Sequence, residues 1–252
     1  MNKVLKSLYY RVKNRFERKI WVDKLGIVEA GYPQMLLEQL YTLKVELVDL
    51  KQVVDVGTNE GMFSRSISTI FPNLNFYCIE PNVELNGKIK KNLLGNKFVI
   101  INELVSSENK KVVFSIHADS QMSSILDVQE QELKKNFNWD DPSQIKKVEM
   151  RTTTLDEVFV KNDISAKKKT LLKIDTQGNE LDVLKGANEC LTWVDYIIVE
   201  YMFDSPYIGE VTSNDLFQHL FERKFLLCGP TMIANRLDGK IGAVNFLFKK
   251  VK

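Results

Sequence analysis

A glycine-containing turn follows an apolar run early in the chain, in the sequence Val53-Val54-Asp55-Val56-Gly57-Thr58-Asn59-Glu60-Gly61-Met62-Phe63. Glycine tolerates positive φ angles and close backbone approach, so Gly57 and Gly61 predict a strand–turn–helix unit that binds a ligand. Asn59 lies between them, and the middle glycine of the dinucleotide fingerprint is missing. Asp55 would repel a diphosphate but attract an ammonium group. The turn therefore favours S-adenosylmethionine, which carries an ammonium and a sulfonium group, over a nicotinamide dinucleotide.

A second acidic residue, Glu80, ends the next predicted strand, 19 residues after Gly61. A carboxylate at that place can accept hydrogen bonds from both hydroxyls of an adenosine ribose. NAD sites share this feature, so Glu80 indicates adenosine without choosing the cofactor. The alternative is a structural role, in which Glu80 caps the following predicted helix, Val83–Leu93.

Three further carboxylates, Asp175, Glu180 and Glu200, fall at the ends of predicted strands or the start of a helix. Ligands of doubly wound sheets bind at the carboxyl edge, where these groups should meet. Methyl transfer to an alcohol needs an aligned acceptor oxygen and a proton acceptor. We rank Asp175 first, Glu180 second and Glu200 third as base or as ligand of the acceptor hydroxyl. The alternatives are a contact of Asp175 with the cofactor or with the loop backbone, a helix N-terminal role for Glu180 and an ion pair of Glu200 with Lys173.

Metal dependence is left open by the sequence. Three carboxylates at strand ends also suit a hard cation such as Mg²⁺. The histidines, His117 and His219, are far apart and have no companion Cys or His pattern, so they do not predict a zinc site. His117 as a base is retained as an alternative to the carboxylates.

From Lys51 onward, short apolar runs alternate with stretches of helical periodicity, which predicts βαβ units and an α/β, doubly wound sheet with helices on both faces. The predicted strands are Val53–Val56, Phe76–Glu80, Phe98–Asn102, Thr170–Asp175, Tyr196–Tyr201, Phe225–Cys228 and Val244–Phe248. The predicted helices are Gly61–Ile70, Val83–Leu93, Glu180–Leu191 and Asn214–Glu222.

The middle of the chain departs from this alternation. Val112–Ile116 and Val148–Thr153 predict paired strands on either side of a polar stretch, Asp119–Lys147. That stretch is either a substrate-facing loop or a surface insertion. The aromatic segment Tyr201–Tyr207 is predicted either to lie over the acceptor pocket or to pack against the polar stretch as a flap.

The chain has 252 residues, with 35 Lys and Arg against 33 Asp and Glu. A net charge this small disfavours a protein that binds nucleic acid through phosphate contacts. Three widely spaced cysteines predict no disulfide framework and favour a cytoplasmic protein. No apolar run approaches the roughly 18 residues of a spanning helix.

The first residues differ in character from the rest of the chain. Residues 1–24 combine eight basic side chains with two acidic ones and an apolar stripe at helical spacing. This pattern predicts either a packed helix or weak peripheral contact with a membrane, at its inner face. We divide the chain into an N-terminal helical extension, residues 1–50, and one domain, residues 51–252.

The chain resembles the FkbM family of S-adenosylmethionine-dependent methyltransferases in four segments that occur in the family's order: Asp55–Gly61, Ile79–Asn82, Thr153–Asp156 and Leu172–Ala187. The resemblance runs from about Val53 to about Cys228. It implies a class I methyltransferase fold, a mostly parallel seven-stranded sheet with an antiparallel last strand, and O-methylation of hydroxyls, often on sugars or natural products. Many members have Glu at the position of Gln177, so Gln177 receives no catalytic role.

Together these observations predict an S-adenosylmethionine-dependent O-methyltransferase acting on a hydroxyl of a glycan precursor or small natural product. A non-catalytic adenosine-cofactor-binding module is an alternative, and an NAD-dependent oxidoreductase is disfavoured by Asp55 and the missing glycine. The predicted catalytic residues are Asp175, Glu180 and Glu200. The predicted cofactor-binding residues are Asp55, Gly57, Asn59, Gly61, Phe63 and Glu80.

Overall fold

The computed structural model describes residues 43–71, 73–129, 145–203, 205–209 and 212–251. The amphipathic segment 1–24 and its predicted membrane contact lie outside the described residues, as does most of the polar stretch 119–147. No helix within the described ranges combines the length and the apolar character needed to cross a bilayer. Leu43, Leu47 and Leu50, which we predicted to belong to the N-terminal extension, are buried in the core of the domain.

Within the described residues, the strands are β1 Gln52–Val56, β2 Asn75–Ile79, β3 Lys97–Ile101, β4 Leu104–Val105, β5 Lys111–Ile116, β6 Lys146–Thr153, β7 Thr170–Ile174, β8 Tyr196–Met202, β9 Phe225–Asn235 and β10 Ile241–Lys250. Seven of them form one sheet in the order β3-β2-β1-β7-β8-β10-β9. Strand β10 runs antiparallel to both neighbours, and the pairs among β3, β2, β1, β7 and β8 are parallel. This confirms the predicted α/β sheet and its antiparallel last strand.

The α-helices with both ends inside the described residues are α1 Met62–Ile70, α2 Asn86–Asn92, α3 Leu155–Lys161, α4 Glu180–Lys185 and α5 Ser213–Glu222, and residues 43–46 are also helical. Side chains of a strand alternate between the two faces of a sheet, so β1 contributes Val53 to one core cluster and Val54 to the other. Helices α1 and α2 pack in the first cluster, and α3, α4 and α5 pack in the second. The sheet is therefore covered on both faces, as a doubly wound fold requires.

The helices differ from the prediction by more than one residue in three places. The helix predicted over Glu180–Leu191 ends at Lys185, and the one predicted over Val83–Leu93 begins as a 3₁₀ turn before α2. Helix α3 was not predicted. Its start is marked in the sequence, because the Thr154 side chain accepts a hydrogen bond from the Glu157 N–H, as in a Ser/Thr-x-x-Glu helix start.

A smaller sheet lies beside the main one, in the order β4-β6-β5. Strands β5 and β6 pair antiparallel, which confirms the predicted pairing in the middle of the chain. The Tyr201–Tyr207 segment turns back toward this region, where Tyr207 pairs with Val128 and is buried beside Met122. Of the two predicted arrangements, the structure shows the packed flap.

Candidate active site

The turn between β1 and α1 is built on three positive φ angles, at Gly57 (74°), Asn59 (50°) and Gly61 (81°). A Cβ atom at Gly57 would lie 1.8 Å from the carbonyl oxygen of Asp175, so only glycine fits there. At Gly61 the nearest neighbour is the backbone of Ile89 in α2, 3.6 Å away. Gly57 thus allows the β1 turn to approach the end of β7, whereas the sequence had suggested that a ligand approaches it.

Glu80 lies just beyond β2 and is buried, with 6% of its surface exposed. Its carboxylate accepts the Asn59 N–H at 2.9 Å and the Asn82 N–H at 2.9 Å. Burial raises the pKa of Glu80, and these two backbone hydrogen bonds oppose the rise. The Asn59 side-chain oxygen in turn accepts a hydrogen bond from Ser120 at 2.8 Å. The β1 turn and the end of β2 therefore form one hydrogen-bonded unit.

A cavity of about 390 Å³ extends along the carboxyl edge of the sheet. Its size falls within the usual range for small-molecule sites. It begins beside Glu80 and the β1 turn, crosses the ends of β7 and β8, and reaches β10 and β9. The predicted site residues that line it are Gly57, Asn59, Phe63, Glu80, Asp175 and Glu200.

Asp55 is fully buried and is not part of this lining. Its Oδ2 accepts a hydrogen bond from Ser64 Oγ at 2.6 Å, and its Oδ1 lies 3.5 Å from Lys173 Nζ. The structure thus places the carboxylate inside the protein, whereas we expected it at the mouth of the turn. The reason is strand alternation, which turns Asp55 toward α1 on the same face as Val53.

Lys173, which the sequence reasoning considered only as a partner for Glu200, is a buried cation in β7. Its Nζ lies 3.1 Å from Asp175 Oδ2 and donates a hydrogen bond to the Gly57 carbonyl oxygen at 3.3 Å. Burial disfavours the charged amine, but the nearby carboxylates of Asp175 and Asp55 outweigh burial and raise its pKa. A lysine within an otherwise apolar strand, two residues before an aspartate, is the sequence signal for this arrangement.

Gln177 joins the two carboxylates that line the middle of the cavity. Its Nε2 donates to Asp175 Oδ1 at 2.8 Å and to Glu200 Oε2 at 2.9 Å. Its Oε1 lies 3.0 Å from the hydroxyl of Tyr207. Gln177 adopts φ 57°, an uncommon conformation for a residue with a side chain. The conformation of the loop after β7 thus places the Gln177 amide between the two acids.

The two acids have opposite pKa shifts. Burial disfavours ionisation of Asp175, but the Lys173 charge and the Gln177 hydrogen bond outweigh it and lower the pKa. Burial raises the pKa of Glu200 well above its ordinary value, and the negative charges of Asp175 and Glu180 raise it further. The two side chains also share a hydrogen bond. The two shifts therefore favour placing a proton shared by the pair on Glu200 rather than on Asp175.

Glu180 does not reach the cavity, contrary to our expectation that it faces the acceptor. Its Oε1 accepts the Thr176 N–H at 2.6 Å, and its Oε2 accepts the Gly178 N–H at 3.0 Å. Burial raises its pKa to about 7, against these hydrogen bonds. As the first residue of α4, Glu180 turns back toward the preceding loop and fixes the backbone on both sides of Gln177.

Metal ligands are not grouped in the described part of the chain, where no three His, Cys, Asp or Glu side chains are arranged to hold an ion. His117 is buried beyond the end of β5, and His219 lies on α5. Neither histidine is among the residues that line the cavity.

Comparison with known proteins places this geometry in a family. Residues 55–227 match the Methyltransferase FkbM domain. The chain is also similar to 2-O-methyltransferase NoeI of Sinorhizobium fredii, with 22% identity over 168 residues that cover 63% of this chain and 66% of that protein. The match therefore spans just under two thirds of the relative's length.

Solved structures with a similar fold include ribosomal protein L11 methylase from Lactobacillus delbrueckii subsp. bulgaricus, with a TM-score of 0.47, 12% identity, and coverage of 88% of this chain and 81% of that one. Precorrin-6y C5,15-methyltransferase from Geobacter metallireducens GS-15 has a TM-score of 0.43, 12% identity, and coverage of 90% of this chain and 95% of that one.

The residues present fit S-adenosylmethionine. Each oxygen of Glu80 takes one backbone hydrogen bond, so the carboxylate keeps acceptor capacity for ribose hydroxyls at the cavity wall. The β1 turn closes the same end of the cavity, and acidic groups line its middle, where a cation would lie. With its class I methyltransferase fold and a domain match over most of its length, the chain belongs to the FkbM family of S-adenosylmethionine-dependent methyltransferases.

Proposed function

We propose that this methyltransferase transfers the methyl group to a hydroxyl oxygen of a glycan precursor or small natural product. The observation that carries the proposal is the Asp175–Glu200 pair at the ends of β7 and β8, in the same cavity as Glu80. Alcohols lose a proton during methylation, and the pair supplies a group that can take it. The relative NoeI is named as a 2-O-methyltransferase, which also favours a hydroxyl acceptor.

The cavity provides a different end for each substrate. Glu80 and the β1 turn would hold the adenosine, and Phe63 of α1 lines the same cavity. The strand order places β8 three strands from β2, or roughly 14 Å at the usual strand spacing. The acceptor would then lie at the other end of the cavity, over β8 and β10. Asp55 does not line the cavity, and it supports this arrangement through its contacts with Lys173 and Ser64.

When bound, S-adenosylmethionine supplies a methyl group attached to a positively charged sulfur, which is already activated for transfer. The residues of this chain orient the acceptor and manage its proton. Lys173 keeps Asp175 ionised, so Asp175 accepts a hydrogen bond from the acceptor hydroxyl and then its proton. Gln177 holds Asp175 and Glu200 at fixed positions while this happens.

The far end of the cavity suits a small, uncharged acceptor with both polar and apolar parts. Thr231 and Asn245 line it together with the apolar side chains of Ile198 and Met232. Lys173 is the single cation among the described lining residues, and it is already paired with Asp55 and Asp175. A polyanion such as nucleic acid would find no free positive charge on these walls.

The test is to incubate the protein with methyl-labelled S-adenosylmethionine and fractions of cell glycans and small metabolites. Label should enter a fraction whose hydroxyls are free and should stay out of the same fraction after its hydroxyls are acetylated. Cofactor binding without transfer to any fraction would instead favour the non-catalytic binding module.

A further inference from the structure

Glu200 is a half-buried acid whose surroundings favour its protonated form, and it lines the proposed cofactor cavity. The charged groups that act on it are Lys173 of β7, Asp175 just beyond β7 and Glu180 of α4. Gln177 donates a hydrogen bond to Glu200 and contacts the Tyr207 hydroxyl of the 205–209 loop with its other end. Asn245 of β10 is its register partner and is uncharged. Lys173 is 3.1 Å from Asp175 and 3.5 Å from Asp55, so its charge is already balanced by other carboxylates.

Burial favours the protonated form of Glu200, and an excess of negative charge around it adds to this effect. A positive charge entering the cavity would remove this excess, since an opposite charge within a few ångströms favours the ionised form of an acid. The cofactor carries such a charge on its sulfur, and the demethylated product, S-adenosylhomocysteine, does not. The two compounds share the adenosine, the amino group and the carboxylate.

We propose that Glu200 senses the methyl donor: it keeps its proton while no sulfonium is in the cavity and releases it to solvent when the sulfonium enters. The inference rests on the proposed function in one respect, namely that the cofactor binds in this cavity with its sulfur beside β7 and β8. Its consequence is that the Asp175–Glu200 pair gains capacity to accept a proton only when a methyl group is present to transfer.

The proton balance is complete. On cofactor binding, the O–H bond of the Glu200 carboxyl breaks and the proton leaves to the buffer. During methyl transfer, the acceptor O–H bond breaks, an O–CH₃ bond forms, and the electron pair of the S–CH₃ bond remains on sulfur. The acceptor proton returns to the carboxylate pair, which restores the starting charge on the protein.

Isothermal titration calorimetry tests this without an acceptor. Binding of S-adenosylmethionine and of S-adenosylhomocysteine is measured near neutral pH in several buffers with different ionisation enthalpies, which gives the number of protons released. We expect the methylated cofactor to release about one proton more than the demethylated product. If both compounds bind and release equal numbers of protons, the inference about Glu200 is wrong, whereas the proposed function is unaffected. Failure of both compounds to bind would count against the proposed function instead.

Two isosteric variants identify the residue that releases the proton. Glu200→Gln should remove the difference between the two compounds, because glutamine resembles the protonated acid and has no proton to give. Glu180→Gln should keep most of the difference, because the charge of Asp175, which affects Glu200 more than that of Glu180, stays in place. This holds although Glu180 is also buried and its pKa is raised to about 7. A difference that survives in Glu200→Gln, or one that is lost only in Glu180→Gln, would contradict the proposal. Circular dichroism establishes that each variant is folded.

The unmodified protein offers an independent measurement if Glu200→Gln does not fold. Proton release means that the affinity for S-adenosylmethionine rises with pH, by up to about tenfold per pH unit while Glu200 is protonated in the free protein. The affinity for S-adenosylhomocysteine should change less over the same range. Parallel pH profiles for the two compounds would overturn the inference.

Discussion

The carbonyl oxygen of Asp175 occupies the space where a side chain would begin at Gly57. A Cβ atom there would lie 1.8 Å from this oxygen, and φ at Gly57 is 74°. The same two strand ends are joined by Lys173, which donates to the Gly57 carbonyl oxygen and contacts the Asp175 carboxylate. The cofactor turn and the proposed base are therefore fixed relative to each other by direct backbone contact.

Gly57→Ala should consequently destabilise the protein strongly. A positive φ costs an L-residue roughly 1–2 kcal/mol, and forcing the two backbones apart costs about 1–3 kcal/mol more. The free energy of unfolding in urea should fall by about 3 kcal/mol. An alanine variant with unchanged stability would show that the strand ends do not meet as described.

Two other glycines separate the causes. Gly95 has φ 87° with open space around it, so Gly95→Ala should show the cost of the backbone angle alone. Gly87 lies in α2 with open space and without a positive φ, so Gly87→Ala should stabilise the protein by up to about 1 kcal/mol. The expected order of stability is Gly87→Ala, the unmodified protein, Gly95→Ala and Gly57→Ala.

Lys173→Met should remove the positive charge that Asp55 and Asp175 share. Breaking a buried ion pair from one side typically costs 3–5 kcal/mol, and we expect a loss of that order near neutral pH. The pKa of Asp175 is lowered in the folded protein, so its stabilising contribution is present above the ordinary Asp range and is lost as the pH falls through the folded value. The loss caused by Lys173→Met should therefore shrink in acid. Urea unfolding of both proteins across pH measures this, and a loss that grows in acid would contradict it.

Glu180 should give the opposite pH trend. Its pKa is raised to about 7 from the ordinary value of 4.5, so its contribution to stability is fully present below 4.5 and is lost as the pH rises through 7. Relative to Glu180→Gln, the unmodified protein should lose about 3 kcal/mol of unfolding free energy across this window. Urea unfolding at several pH values checks it; a difference that does not vary with pH would show that Glu180 titrates normally.

The sequence predicts the strands well because each is a short apolar run between turns, as in Val53–Val56. It also predicts the edge of the sheet at which Glu80, Asp175 and Glu200 meet, because the carboxyl ends of parallel strands lie at the same edge. The direction of a side chain is harder to predict. Asp55 faces α1 and Glu180 faces the preceding loop, because strand alternation and helix position decide these directions.

The interactions within the site also depend on tertiary contacts. Gln177 received no role from the sequence, yet its amide bridges Asp175 and Glu200. The bridge forms with a positive φ angle at Gln177, which the sequence around this residue does not predict. In the sequence, Lys173 is one polar residue in an apolar strand. Its carboxylate partners are Asp175, just beyond the same strand, and Asp55 of β1.

Glu80→Ala should weaken cofactor binding. The carboxylate lines the cavity and fixes the Asn59 and Asn82 backbones, and hydrogen bonds to a charged acceptor are worth about 1.5–3 kcal/mol. Calorimetry should therefore show S-adenosylmethionine binding weakened by roughly tenfold to a hundredfold. Glu84→Ala is the matched control, since Glu84 is exposed and pairs with Lys146. Equal affinities for the two variants would remove Glu80 from the cofactor site.

Asp175→Asn should separate proton transfer from cofactor binding. The asparagine keeps the size of the side chain but cannot accept a proton, so kcat should fall by about 10²–10⁴ with the acceptor identified in the labelling experiment. The affinity for S-adenosylhomocysteine, which has no sulfonium charge, should change little, because Glu80 and the β1 turn are proposed to hold the adenosine at the other end of the cavity. Asp182→Asn, at a partly exposed position of α4 paired with Lys185, should leave both quantities unchanged. If Asp175→Asn instead lowers the melting temperature while activity per folded molecule survives, Asp175 anchors the loop and the proton passes to Glu200.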